Sequence, residues 1–446
     1  MHFKARLILP LLLMISAIAE PSAAQQGSTL TLQDAIQMGV ENNYGIQISK
    51  NLQEQAGNNF TLGNAGFLPT VEATASRRES IEDSEFESAR GDSQTNNDAR
   101  STSTAAGINL NWTLFDGLRM FASYDRLGTL RDISDETLRL DVENLITDVA
   151  LTYFNIIRIS EQIRTLENNI EVSLERIEIE ETKVEIGSGS EYDLLQARTD
   201  LNADRAALIR EENTLTEAKI LLNRLLSRDP DTEFGVSDDV SVNRLLSRDD
   251  LYSKLMSDNA ELSIARMQQE VSRLELREIR GERYPEILLS SGYSYSRNEN
   301  DGGFFRLNET TGFAVGITAR VNLFDGFNAS RRVQNAQINN KNAELAFESQ
   351  KLALESDFLA RFRAYQNSIE LVDLEEQNLD NAEETLSIAI ERFRLGTISS
   401  LEFREAQRTF VAAESRLADA KYDAKVAEAE LLRLSGEIDS IAVIQP

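Results

Sequence analysis

Cysteine is absent from the 446 residues, and the single histidine is His2. The first absence excludes disulfides and thiolate chemistry. The second leaves the rest of the chain without the commonest neutral-pH acid–base group and metal ligand. Carboxylates alone could still do chemistry, yet none cluster apart from the charged helical pattern, so no enzyme, cofactor or metal site is expected. Past the leader no apolar run reaches the length of about eighteen residues that a membrane-spanning helix needs. Positive charge is also short: 46 Lys and Arg stand against 74 Asp and Glu, a net charge of −28. That balance repels nucleic-acid backbones and predicts no nucleic-acid partner.

What is present begins with a leader. Lys4 and Arg6 precede an apolar run at 7–15, Ala17, Ile18 and Ala19 offer a cleavage site, and 22–24 offer a second. The run is too short for an anchor, so residues 1–19 are expected to be a signal peptide. No cysteine follows to carry a lipid. Membrane attachment would then rest on the fold.

The other way across a membrane is a closed barrel of alternating strands. Four segments show the period of two that puts one residue set on each sheet face. In "GINLNWTLFDG", Ile108, Leu110, Trp112 and Leu114 alternate with Asn109, Asn111 and Thr113. In "GFAVGITARVNLFDG" the apolar set is Phe313, Val315, Ile317, Ala319, Val321 and Leu323. In "PEILLSSGYSYS" it is Ile287, Leu289, Tyr293 and Tyr295, while Val71, Ala73 and Ala75 form a weaker first member. Strands are expected near 70–80, 105–115, 286–297 and 312–323, with polar connections at 81–104 and 297–311.

Between these pairs the apolar period becomes helical and very long. Spans 118–186 and 327–395 each hold 69 residues without proline. If wholly helical, each is roughly 100 Å long at 1.5 Å per residue. Shorter helices are expected at 31–66, 190–226, 250–284 and 399–434. In each half the two short members nearly sum to the long one, as end-to-end stacking beside it requires.

The halves keep step. The tetrapeptide LFDG occurs at 114–117 and again at 323–326, 209 positions on. In each copy Asp116 or Asp325 is placed to cap the long helix, and Gly117 or Gly326 permits the turn. Gly187 and Gly396, also 209 apart, break the helical pattern as hairpin tips. Pro69 and Pro285 stand where a short helix gives way to a strand. "RLLSRDP" at 224–230 is nearly copied by "RLLSRDD" at 244–250, a local similarity at a helix end and the next helix start. The expected organisation is a tandem repeat, 20–226 and 250–436, with tips at 187–190 and 396–399, a linker at 227–249 and a tail at 437–446.

Four strands leave two edges unpaired, and hydrocarbon does not tolerate open edges. Either the sheet sits in water or several copies close one barrel. An Ala-rich face including Ala413, Ala418, Ala420 and Ala424 suits close helix contacts around such a ring.

These features together resemble the outer membrane efflux protein family, the TolC-like channels. The resemblance rests on the two halves, Pro69 and Pro285, both LFDG copies, the tips "VEIGSGSEYDLLQA" and "FRLGTISSLEFREA", and the opening "LTLQDAIQMGVENN". It implies a mixed α/β membrane protein: a homotrimer with one twelve-stranded outer-membrane β-barrel, continued by a periplasmic α-helical barrel. It also implies a passive exit duct for efflux or type I secretion, partnered by a periplasmic adaptor and an inner-membrane transporter and seated in outer-membrane lipid. Relatives carry aspartates at the tip; the matching positions here are Asp193, Gln196, Glu402 and Glu405. Tyr44 stands where many relatives have proline. Glu402 and Glu405, three apart on one helix face, are candidates for a carboxylate ring at the entrance. The competing expectation is a periplasmic adaptor or structural coiled coil, which would lack a use for the paired strands.

Overall fold

The computed structural model describes residues 29–237, 244–302 and 305–442. The signal peptide expected at 1–19 lies outside them, as do 238–243 of the linker and 443–446 of the tail. In chain order the first half runs β1 (Thr29–Leu30), α1 (Leu32–Asn42), α2 (Tyr44–Asn59), β2 (Thr70–Glu87), β3 (Ser93–Phe115), α3 (Arg119–Glu185) and α4 (Glu191–Leu225). The second runs β4 (Gly235–Val236), α5 (Arg248–Asp258), α6 (Ala260–Gly281), β5 (Glu286–Asn300), β6 (Leu307–Arg320), α7 (Asn328–Arg394) and α8 (Ser400–Leu434). A short 3-10 turn, Ile438–Ala442, follows.

The long helices α3 and α7 are 67 residues each. The short ones differ from expectation in two respects: 31–66 and 250–284 are each interrupted by an asparagine, and the first of them stops being helix at Asn59, with turns over 60–66 before β2. Asn43 caps α2 by accepting from the N–H groups of Gly45 and Ile46, and its amide donates to the Leu225 carbonyl at the end of α4. Asn259 repeats the device, accepting from the Leu262 N–H and donating to the Leu434 carbonyl at the end of α8. One side chain thus satisfies the free donors of an upper helix and a free acceptor of the lower one, the groups that helix ends leave unpaired. This joins α2 to α4, and α6 to α8, end to end.

The main apolar core lies at this level. Leu32 of α1, Tyr153 of α3, Leu222 of α4, Leu255 of α5, Phe358 of α7 and Leu431 of α8 meet there fully buried. Tyr153 donates its hydroxyl proton to the Leu30 carbonyl and accepts from the Ser237 N–H, pinning the parallel β1–β4 pair to the core. The four alanines expected to allow close contact, Ala413, Ala418, Ala420 and Ala424, are all buried.

The remaining strands form one antiparallel sheet in the order β2-β3-β5-β6. The strand boundaries depart from expectation: within the connection expected at 297–311, β5 runs on to Asn300 and β6 already starts at Leu307. The polar stretch 81–104 is largely strand, because β2 and β3 keep pairing as far as Glu87 and Ser93. Conversely β6 stops at Arg320, short of the second LFDG, whereas β3 runs into the first. The cause is position: β3 is flanked on both sides and Phe115 still faces Ile287, while β6 has only β5, whose ladder ends at Glu286 opposite Arg320.

Both LFDG copies turn into a long helix by two successive left-handed residues, Gly117 and Leu118 or Gly326 and Phe327. The Asp116 carboxylate accepts from the Met120 N–H, and that of Asp325 from the Ala329 N–H. Gly117 is also pressed onto α6: a Cβ there would stand 2.2 Å from the Gly281 carbonyl oxygen. Gly326, on the outer flank, meets no such neighbour. At the far end Gly187 and Gly396 take positive φ, and Ser190 and Ser399 cap α4 and α8.

Candidate functional site

Sheet register divides the four strands into rows. On one face the rows read Trp112–Leu289–Ile317, Val71–Leu110–Ser291–Val315, Ala73–Ile108–Tyr293–Phe313 and Ala75–Ala106–Tyr295–Thr311. The opposite face carries Glu72–Asn109–Gly292–Ala314 and Thr74–Gly107–Ser294–Gly312. The apolar face is uncovered: Phe313, Val315 and Ile317 are 65–70% exposed. A soluble sheet buries such a face, so this one needs lipid or another protein over it.

The apolar face has a defined height. From Ile287 to Tyr295 along β5 is about 27 Å at ~3.4 Å per residue, or roughly 20 Å once a barrel strand tilts. Above it comes the charged row Arg77–Thr104–Arg297–Glu309. Below it exposed aromatic and apolar residues collect where strand becomes helix, including Phe121, Tyr284, Phe324 and Phe327. An apolar band with an aromatic girdle is the pattern of an outer-membrane barrel wall. No described helix is long and apolar enough to cross a membrane.

The chain leaves two flanks unfinished. The edge strands β2 and β6 have one neighbour each. Under the sheet the helices follow in the order α2, α3, α6, α7, and nearer the tip α4, α3, α8, α7. The flank helix α2 exposes Tyr44, Ile48 and Leu52, one turn apart; α7 exposes Ile338, Leu345 and Leu352, a strict heptad. A seven-residue apolar repeat is the seam of a helix awaiting a partner helix.

The tip is the other built region. From α8, Arg404 forks onto Asp204 of α4 at 2.8 and 2.9 Å. The same Asp204 accepts from Ser173 of α3 at 2.8 Å. Gln407, fully buried, donates to Ser173 and to the Asn169 carbonyl. Arg176 of α3 bridges Asp200 of α4 and Ser400 of α8. Arg394 of α7 meets Glu175 of α3 at 2.7 Å, and the Lys183 ammonium sits 3.6 Å from the centre of the Phe393 ring.

The residues singled out from sequence lie around this set. Asp193 and Gln196 line an open cleft of about 380 Å3 together with Arg176, Asp200 and Arg404. Gln196 donates to Asp200. Glu402 closes a capping box, accepting from the Ser399 N–H while Ser399 accepts from its own. That backbone hydrogen bond holds its carboxyl below the ordinary value. Glu405 is exposed on the next turn. The buried Ser173, Asp204 and Gln407 and the part-buried Arg404 were not singled out from the sequence. Their spacing was the available signal: Ser173 and Arg176, and Arg404 and Gln407, each share a helix face three apart.

An open sheet with an exposed apolar face, continued by helices about 100 Å long, is the form of a membrane-channel subunit. Among the described residues no cluster of His, Asp or Glu is arranged to hold a metal. The model of the outer membrane efflux protein family matches residues 35–228 and 251–437, and the chain belongs to that family. It is 24% identical over 330 residues to the outer membrane protein TolC of Vibrio cholerae, covering 72% of this chain and 73% of that one. It is 20% identical over 422 residues to the proteases secretion protein PrtF of Dickeya chrysanthemi, covering 92% and 88%. The crystal structure of the Campylobacter jejuni CmeC outer membrane channel superposes with a TM-score of 0.76 at 16% identity, over 91% of this chain and 86% of that one. The protein is thus an outer-membrane exit duct of the efflux and type I secretion kind, with a large periplasmic helical part.

Proposed function

We propose that three copies of this chain join flank to flank into one duct, a twelve-stranded barrel in the outer membrane above a closed tunnel of helices. The observation that carries this is the matched incompleteness of the two flanks, strand edge above strand edge and apolar stripe above apolar stripe. The family supplies the number three. The duct is passive and holds no catalytic residue or cofactor. A periplasmic adaptor meets its tip and an inner-membrane transporter supplies the energy, while the apolar rows of the sheet face outer-membrane lipid.

At the tip the threefold axis gathers Glu402 and Glu405, with Asp193 and Gln196 beside them, into rings. Rings of carboxylates favour cations at a constriction. Replacing Glu402 and Glu405 by alanine is expected to change cation block or single-channel conductance. Unchanged values for both would remove them from the entrance. The duct itself is tested by membrane fractionation with heat-modifiable gel migration: an outer-membrane trimer is expected, and a soluble periplasmic monomer would favour an adaptor or a coiled-coil protein instead.

A further inference from the structure

Resting on the three-copy reading, we infer that Arg78 is an oxyanion contact inside the barrel. Its three copies form a belt of positive charge just within the outer mouth, where carboxylate- or phosphate-bearing solutes are held on their way out.

Sheet register puts Arg78 on the lumen side. The apolar rows through Val71, Ala73 and Ala75 face lipid, so the alternate rows through Glu72, Thr74, Ser76 and Arg78 face inward. The last of these runs Arg78–Ser103–Asn298–Asn308, level with the charged row that tops the apolar band. From the Thr70 row to the Arg78 row, the inward face carries glycine, alanine, serine, threonine and asparagine at every position except Glu72 and Arg78. Such a wall is neutral, and those two side chains set its field.

Arg78 is exposed and keeps its charge uncompensated. On the lipid-side face Arg77 pairs with Glu79 and Arg297 with Glu299, in each case two residues along the same strand. The equivalent neighbours of Arg78 are Ser76 and Ser80, with Ser103 opposite, and no carboxylate among the described residues pairs with it. The next copy brings none along its adjoining strand either. From Asn308 to Thr318 the inward residues of β6 are asparagine, threonine, glycine and alanine. Arg320, at the base of the same face, stands opposite Glu286 instead. Glu72 lies six residues below Arg78, about 20 Å along the strand and roughly 15 Å along the axis of a tilted barrel. Charges in physiological salt are screened over about 8 Å, so Glu72 does not cancel the belt.

A guanidinium stays protonated, its fork of N–H donors matches the paired oxygens of a carboxylate or phosphate, and rings of arginine favour anions in a pore. Ser76, Ser103 and Asn298 add neutral donors at the same height. In a chain of net charge −28, the belt gives an anionic solute a favourable contact late in its passage.

The cysteine-free sequence supplies a local probe of this field. Ser76→Cys puts a thiol two residues from Arg78 on the same face, about 7 Å away, and Thr74→Cys puts one about 14 Å away. Both positions are exposed. Rates of reaction with a sulfonate-bearing and a trimethylammonium-bearing methanethiosulfonate are compared on the purified channel at about 0.01 M salt, where screening is weak. Arg78→Gln is expected to lower the anionic-to-cationic rate ratio at Ser76→Cys about fivefold, as one charge at that distance in water acts oppositely on the two reagents. At Thr74→Cys the ratio should stay within about twofold. Citrate at matched ionic strength should slow the anionic reagent at Ser76→Cys in the Arg78 channel and not in Arg78→Gln. Protection should be weaker in Arg78→Lys, which keeps the charge and loses the fork. With the trimer intact on a gel, an unchanged rate ratio overturns the inference, as does citrate protection that persists in Arg78→Gln. Absence of any trimer overturns the three-copy reading itself, and the belt falls with it.

Discussion

Removal of the Arg404 guanidinium is the sharpest local perturbation available. Arg404→Ala deletes two charge-assisted bonds to Asp204 and the contact to the Gln407 amide oxygen. It leaves the Asp204 carboxylate, 10% exposed, with Ser173 alone. Breaking a fully buried pair costs about 3–5 kcal/mol. Arg404 keeps 16% exposure, and solvent screening brings the expected loss to about 2 kcal/mol, close to 30-fold in a local opening constant. The assay is native-state hydrogen exchange on the purified channel. Protection should fall by that factor in α4 and α8 near the tip and hold in α5 at the apolar core. Adding Asp204→Asn should recover part of the loss, because no unpaired charge then remains. Arg408→Ala, an exposed neighbour on the same cleft, serves as the control. If Arg404→Ala and Arg408→Ala prove indistinguishable, the tip is not held by this network.

Three further outcomes follow from the same geometry. Gly117→Ala should destabilise by more than about 2 kcal/mol, through both positive φ and overlap with the Gly281 carbonyl, while Gly326→Ala costs only the backbone term of about 1 kcal/mol; equal thermal shifts would contradict the asymmetry. Val315→Arg should cost about 2–4 kcal/mol of barrel stability at mid-membrane, whereas Ala314→Arg on the opposite face is tolerated; trimer yield in outer-membrane fractions reads the difference, and a reversed order would turn the sheet inside out. Burial raises the Glu414 carboxyl, and its Oε2 has no hydrogen-bond partner. The folded state therefore holds that proton more tightly, and stability falls as pH rises from the unfolded value near about 4.3 through the raised folded one. Glu414→Gln should gain up to about 1 kcal/mol over the parent at neutral pH, with the gap closing toward acid. A gap that widens toward acid in thermal unfolding would reverse the argument.

Periodicity and exact repeats made much of the fold legible. LFDG, the paired prolines and the tip glycines all mark changes of backbone direction, and such changes require particular residue types. Asn43 and Asn259 show the limit: nothing local says that a helical pattern stops there, because each asparagine acts through a carbonyl 182 or 175 residues away. The upper reach of β2 and β3 was hidden for another reason. Above the Arg77–Arg297 row no apolar face remains on either side, so the period-two signal vanishes while backbone pairing continues. The tip network was invisible because it is assembled from three helices, and polar letters on a helix look alike whether water or a second hairpin lies over them.

The central claim is that the two flanks of one chain are halves of a single joint. Its most direct measurement is oxidation of a chain carrying Leu52→Cys on α2 and Leu345→Cys on α7, exposed residues of the apolar stripes on opposite flanks. A closed ring predicts dimers and then trimers of linked chains, ending at three and abolished by leaving out either cysteine. Products confined to one chain, or a ladder running past three, would contradict it.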